Sequence, residues 1–107
     1  MGYVYLMLSV SDTGTEAYKI GVTKNDPIKR LKQLSTGNGN KITLVDSYQS
    51  DNYLKVERSL HRKYRTLTEA KNEWRKLSND ELSSFIKDCE EADETINFLL
   101  KNNPFYN

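Results

Sequence analysis

Short stretches of β-branched and aromatic residues alternate with polar turns in the first half of the chain. Residues 3–10, YVYLMLSV, have the composition of a strand. The cluster SDTGTE is typical of a turn, and AYKIGV at 17–22 predicts a second strand, so the two strands form a β-hairpin. Residues 42–48, ITLVDSY, predict a third strand.

Apolar residues at helical spacing predict a first helix directly after the hairpin. It begins at Asp26-Pro27, because aspartate suits the cap and proline suits the first helical position. Gly37 and Gly39 end it. Its apolar face consists of Ile28, Leu31 and Leu34.

Two further helices are predicted, one from after Ser50-Asp51 to about Arg65 and a last one over 79–100 that opens at Ser78. Residues 72–78, NEWRKLS, predict a short extended segment between them. The core candidates of these helices are Leu54, Leu60, Tyr64, Leu82, Phe85, Ile86, Ala92, Ile96, Leu99 and Leu100. The order β-β-α-β-α-(β)-α predicts an α/β protein of the α+β kind, a three-stranded antiparallel sheet flanked by helices.

Length and composition predict a single domain over 1–107, in which the last predicted helix lies at 79–100. No apolar run approaches the roughly 20 residues of a membrane-spanning helix, so no membrane is expected as a partner. Cys89 is the only cysteine and cannot form an internal disulfide, which favours an intracellular, cytoplasmic location. It is expected to be a small side chain that is buried or half-buried.

The net charge is only +1, but the charge is unevenly distributed. Residues 1–75 carry 13 Lys and Arg against 8 Asp and Glu, whereas residues 76–107 carry 3 against 7. A basic front and an acidic tail indicate a face for an anionic partner, and ordinary scatter of surface charge is the alternative.

Four polar features are candidates for chemistry, and each has a purely structural alternative. Tyr3 and Tyr5 lie on one face of the first strand, and Lys19 shares that face only if the hairpin register aligns them. Arg30 lies in the first helix, between Lys29 and Lys32. Glu57 and His61, four residues apart, stack on one helix face, where they can hold a divalent cation or form a simple surface pair.

Four segments taken together resemble one nuclease family. YVY near the N-terminus, YKIGVT after a short loop, the helix DPIKRLKQL and the segment VERSLHRKY are similar, in order and spacing, to the GIY-YIG nuclease superfamily. The likeness is to the phage-associated branch whose second signature reads KIG, and it covers residues 2 to about 77.

The resemblance implies a metal-dependent endonuclease that hydrolyses DNA phosphodiesters with one Mg²⁺ or Mn²⁺. Tyr5 matches the tyrosine that orients or deprotonates the attacking water, and Gly21 matches the glycine that closes the second signature. Arg30 matches the arginine that contacts the scissile phosphate, and Glu57 matches the metal-binding glutamate. These roles suit the residues, since a guanidinium stabilises charge on phosphate oxygens and a hard cation prefers carboxylate oxygen.

The chain departs from the family pattern at several positions. Lys19 stands where founding members carry the second tyrosine, and Leu34 stands where several members carry a histidine. His61 is the candidate that supplies the imidazole from another helix. Within NEW, which resembles the branch's GEW, Glu73 is a secondary candidate and Trp74 a core residue.

Three hypotheses follow: an active endonuclease, a catalytically inactive module of the same fold that binds DNA or a protein, and a regulatory partner that docks through its acidic last helix. Because no base-reading helix is evident, sequence specificity is expected to be low unless a homo-oligomer or a protein partner supplies it. Candidates for phosphate contact are Lys24, Lys29, Lys32, Arg58, Arg62 and Lys63, each of which is otherwise a solvated surface charge.

Overall fold

The protein folds into three antiparallel strands with helices packed on them. The computed structural model describes residues 1–37, 39–64 and 74–103. In chain order the elements are β1 (Gly2–Val10), β2 (Glu16–Thr23), α1 (Pro27–Ser35), β3 (Lys41–Ser50), α2 (Tyr53–Lys63), α3 (Asn79–Ser83) and α4 (Phe85–Asn102). The strand order is β2-β1-β3, with β1 in the centre. The predicted α+β fold is confirmed.

The predicted helix start at Asp26 is confirmed in atomic detail. The Asp26 carboxylate accepts a hydrogen bond from the amide of Ile28 at 2.9 Å, and Pro27 occupies the first turn. Ile28, however, is 44% exposed, whereas Pro27 beside it is buried.

The main core lies between one sheet face and the helices α2 and α4. Val4, Leu6 and Ile20 supply the sheet side. Even-numbered residues of β1 therefore face this core, and Tyr5 and Met7 are buried on the opposite face, on the side of α1. The helix side consists of Tyr53, Val56, Leu60, Tyr64, Phe85, Cys89 and Ile96, so the expected burial of Cys89 is confirmed.

The helix predicted over 79–100 is divided at Ser84 into α3 and α4. Ser84 has φ −99° and ψ 5°, and its hydroxyl bonds the Asp80 carbonyl and the Asp88 carboxylate. Two predicted core residues are wrong, since Leu54 is 48% and Leu100 39% exposed.

Arg75 forms a one-residue bridge to Tyr18 on the outer edge of β2, which agrees with the extended segment predicted there. The secondary candidate Glu73 lies outside the described residues. Within the described ranges, no helix combines the length and the apolar composition needed to cross a bilayer.

Candidate functional site

Tyr5 lies directly opposite Gly21 in the hairpin, and the tyrosine ring covers the glycine. A Cβ added to Gly21 would lie 2.6 Å from the Tyr5 ring carbon that bears the hydroxyl, so only glycine fits beneath the ring without movement. The glycine that ends the KIG element therefore serves the close approach of Tyr5 rather than a turn.

The side chain of Tyr5 is among the largest that the fold buries. Tyr5 is 1% exposed. In the described part of the chain, no enclosed side-chain polar atom lacks a hydrogen-bond partner.

Lys19 shares the sheet face of Tyr5, a relation that depended on the hairpin register. Lys19 pairs with Met7, and Gly21 pairs with Tyr5, so Lys19 and Tyr5 occupy neighbouring pairs on the same face. The lysine is 9% exposed, and its ammonium lies 6.0 Å from the centre of the Trp74 ring. That distance is at the outer limit of a cation–π contact.

Helix α2 brings Glu57 and His61 to the same stretch of β2 from the other side of the sheet. The Nε2 atom of His61 lies 3.1 Å from the Ile20 carbonyl oxygen and 3.3 Å from Oε2 of Glu57. Both side chains are about one-quarter exposed. Because Ile20 is bonded to Gly21, the pair on α2 and the ring of Tyr5 meet adjacent residues of one strand.

Arg75 completes this arrangement, and the sequence indicated no role for it. Its guanidinium lies 3.0 Å from Nδ1 of His61, so both ring nitrogens have partners. The only signal in the sequence was its position next to the NEW element. The contact itself depends on the backbone bridge to Tyr18, which no local pattern indicates.

Arg30 lies on α1, which follows β2 closely in the chain. It is half-buried, and its guanidinium donates a hydrogen bond to Oε1 of Gln33 at 3.1 Å. The described contacts place Arg30 with its own helix rather than against Tyr5 or Glu57. Tyr5, Gly21, His61 and Glu57 are therefore brought together, and Arg30 is not joined to them by a direct contact.

The candidate phosphate contacts differ in their surroundings. Lys63 donates to the buried carboxylate of Asp88 at 2.7 Å, which gives it a structural partner. This hydrogen bond raises the pKa of the Lys63 ammonium. The remaining five are exposed on the surface: Lys24, Lys29, Lys32, Arg58 and Arg62.

Asp88 links the end of α2 to α4. Its carboxylate accepts hydrogen bonds from Lys63, from the Ser84 hydroxyl at 2.9 Å and from the Tyr64 hydroxyl. Burial and the neighbouring carboxylate raise the pKa of Tyr64, so its hydroxyl keeps its proton and acts as donor. This cluster holds the C-terminal turn of α2, one turn beyond His61.

The carboxylate of Glu57 could supply one ligand to a divalent cation. The described residues contain no group of three or more His, Cys, Asp and Glu side chains that could hold a metal ion. Mg²⁺ is commonly held by one or two carboxylates together with waters and substrate phosphates. One Glu57 oxygen faces His61, and the other could bind such a cation.

Comparisons with known proteins agree with this architecture. The family model described as the T5orf172 domain matches residues 2–97. No curated protein and no solved structure matches the chain. The matched family is phage-associated and related to nuclease-like folds of the GIY-YIG type. Because the match spans the sheet, both faces and most of α4, the chain belongs to the T5orf172 domain family.

Proposed function

We propose that this protein is a metal-dependent endonuclease that hydrolyses DNA phosphodiester bonds at a site of the GIY-YIG type. The observation that carries the proposal is the meeting of three distant segments at Ile20 and Gly21. Tyr5 covers the glycine, and His61, which is paired with Glu57, contacts the carbonyl of the residue before it. A purely structural sheet edge does not need a paired carboxylate and imidazole.

Each group has a role that suits its position. The Tyr5 hydroxyl orients the attacking water, and Arg30 and Lys19 provide positive charge for the phosphate oxygens. Glu57 would hold Mg²⁺ or Mn²⁺, which when bound supplies Lewis-acid stabilisation of the phosphate. His61, which also contacts the Ile20 carbonyl, holds the Glu57 carboxylate in place.

A plasmid-nicking assay tests the proposal. The purified chain is incubated with supercoiled plasmid and Mg²⁺ or Mn²⁺, alongside Glu57→Gln, Arg30→Ala and the control Glu94→Gln, an exposed carboxylate on α4. We expect Glu57→Gln to abolish nicking and Arg30→Ala to slow it about 100-fold. Glu94→Gln should nick at the wild-type rate. If the folded wild type nicks the plasmid neither with Mg²⁺ nor with Mn²⁺, the proposed endonuclease activity is refuted.

One observation favours a second candidate, a module of this fold that binds DNA without cutting it. The Tyr5 side chain is 99% shielded and Lys19 is 91% shielded, so little of either residue is accessible to substrate. If this candidate is correct, the folded protein retains DNA affinity, and no metal produces nicks.

The salt dependence of DNA affinity tests the basic surface in either case. Each phosphate contact contributes about 0.9 to the slope of log affinity against log salt on duplex DNA. Combining Lys29→Ala with Lys32→Ala, both on exposed positions of α1, should reduce that slope by about 1.8. The matched pair Lys87→Ala and Lys101→Ala on α4 should leave it unchanged. An equal change in both double variants would contradict a specific role for α1.

A further inference from the structure

Arg75 is held at the edge of β2 by its backbone. Its amide donates to the Tyr18 carbonyl at 2.8 Å, and its carbonyl accepts from the Tyr18 amide at 2.7 Å. These two bonds do not involve the Arg75 side chain. Outward-facing groups of an edge strand recur every second residue, so the bridge at Tyr18 and the His61 contact at Ile20 lie side by side along one edge.

The contact between Arg75 and His61 determines which ring nitrogen carries the hydrogen. A guanidinium has donors only, so the Nδ1 atom, 3.0 Å from Arg75, is the acceptor. The hydrogen of the neutral imidazole is therefore on Nε2, which faces two acceptors, the Ile20 carbonyl at 3.1 Å and the Glu57 carboxylate at 3.3 Å. The opposite tautomer would direct a lone pair at both oxygens and an N–H at the guanidinium.

We propose that Arg75 is a positioning residue that holds His61 as its Nε2–H tautomer, so that His61 orients the Glu57 carboxylate. The proposal rests on the proposed function, in which that carboxylate is the metal ligand. It also changes the role expected of His61: both ring nitrogens are engaged, so the imidazole acts on Glu57 rather than as a base toward water. Hydrogen-bond partners of metal ligands commonly change activity about 10–100-fold when removed.

The chain offers a direct readout, because His61 is its only histidine. Long-range ¹H–¹⁵N correlation spectra at pH 8, recorded without metal or DNA, report the hydrogen position on that one ring. The new side chains in Arg75→Gln and Arg75→Glu have the same shape. Both variants keep the backbone groups that form the bridge to Tyr18. They differ in that glutamine can still donate to Nδ1, whereas glutamate can only accept.

We expect the wild type and Arg75→Gln to show a protonated Nε2 and an unprotonated Nδ1. Arg75→Glu should show a protonated Nδ1. Circular dichroism should confirm that all three proteins are folded. Identical ¹⁵N shifts in the two variants would overturn the proposal.

Nicking rates provide the second measurement. Arg75→Glu should nick about 10–100-fold more slowly than Arg75→Gln. Lys76→Glu introduces the same change of charge at the next, exposed residue and should leave the rate unchanged. An equal loss in Lys76→Glu would assign the effect to charge alone and overturn the positioning role.

The two proposals fail in different ways. A folded wild type that never nicks DNA refutes the endonuclease, while the spectra still decide whether Arg75 sets the tautomer. If the wild type nicks DNA but the His61 ¹⁵N shifts are the same in Arg75→Gln and Arg75→Glu, only the positioning role is refuted.

Discussion

The buried carboxylate of Asp88 should be the most sensitive polar position for the stability of the fold. We consider Asp88→Asn, which preserves the shape of the side chain and removes its charge. Asp88 is 5% exposed and accepts from Tyr64, Ser84 and Lys63. A hydrogen bond to a charged group contributes about 1.5–3 kcal/mol, and the asparagine oxygen can keep only part of this set.

The expected loss in the free energy of unfolding is about 3 kcal/mol. Lys63 adds little to this figure, because its side chain is 56% exposed and water screens the pair. For a domain of this size about 4 °C in melting temperature corresponds to each kcal/mol, so Asp88→Asn should melt about 12 °C lower. The free energy of unfolding should fall about half as much in Tyr64→Phe as in Asp88→Asn, and by less than about 1 kcal/mol in Lys63→Met.

The loss should also depend on pH. Burial by itself raises the pKa of Asp88, but the hydrogen bonds from Lys63, Tyr64 and Ser84 outweigh it, and the pKa lies below its ordinary 3.8. A carboxyl with a lowered folded-state pKa stabilises the fold fully above its ordinary pKa and loses that contribution as the pH falls through the folded value. Wild type and Asp88→Asn should therefore converge as the pH falls below about 4.

Urea unfolding followed by circular dichroism at pH 7 and at pH 2.5 measures these differences. Asp12→Asn, an exposed carboxylate in the β1–β2 turn, is the control and should stay within about 0.5 kcal/mol of wild type. A loss below about 1 kcal/mol for Asp88→Asn at pH 7, or a gap that does not narrow in acid, would refute the reasoning.

Three further predictions concern single positions. Gly21→Ala should destabilise the fold by about 1–3 kcal/mol in urea unfolding and impair nicking, because the new methyl group displaces the Tyr5 ring, whereas Gly39→Ala, with open space around it, should do neither. Cys89 should react with iodoacetamide only in urea, because it is fully buried and burial raises its pKa to about 12; labelling of the native protein would contradict this. Ser78→Ala should lower the free energy of unfolding by about 1 kcal/mol through loss of the capping box, and an unchanged urea midpoint would be inconsistent with the cap.

Local chemistry accounts for the features that were predicted from the sequence. Asp26-Pro27 and Ser78 begin helices because a side-chain oxygen can reach amides within three residues, without help from the rest of the chain. The strands followed from their β-branched and aromatic residues in the same way. The four candidate motifs could be singled out because the family resemblance depends on residue order, which is a property of the sequence.

Burial along the helices could be predicted only in part. The apolar pattern defines a face, but it does not say how far the partner surface extends. Ile28, Leu54 and Leu100 lie where no neighbour covers them fully, although they belong to apolar faces. Ser84 divides the last helix, and no local pattern indicated that its hydroxyl and that of Tyr64 would both bond the Asp88 carboxylate.

The sequence by itself determined the identity of Tyr5, Arg30, Glu57 and His61 as candidates, because their residue types and order are readable along the chain. Tertiary structure alone decided that Tyr5 covers Gly21 and that His61 reaches the carbonyl of Ile20. Strand register and helix placement depend on contacts between residues far apart in sequence, and a shift of one residue would turn Lys19 to the other face. Arg75 acquires its contact with His61 for the same reason, through a backbone bridge to a strand 57 residues earlier.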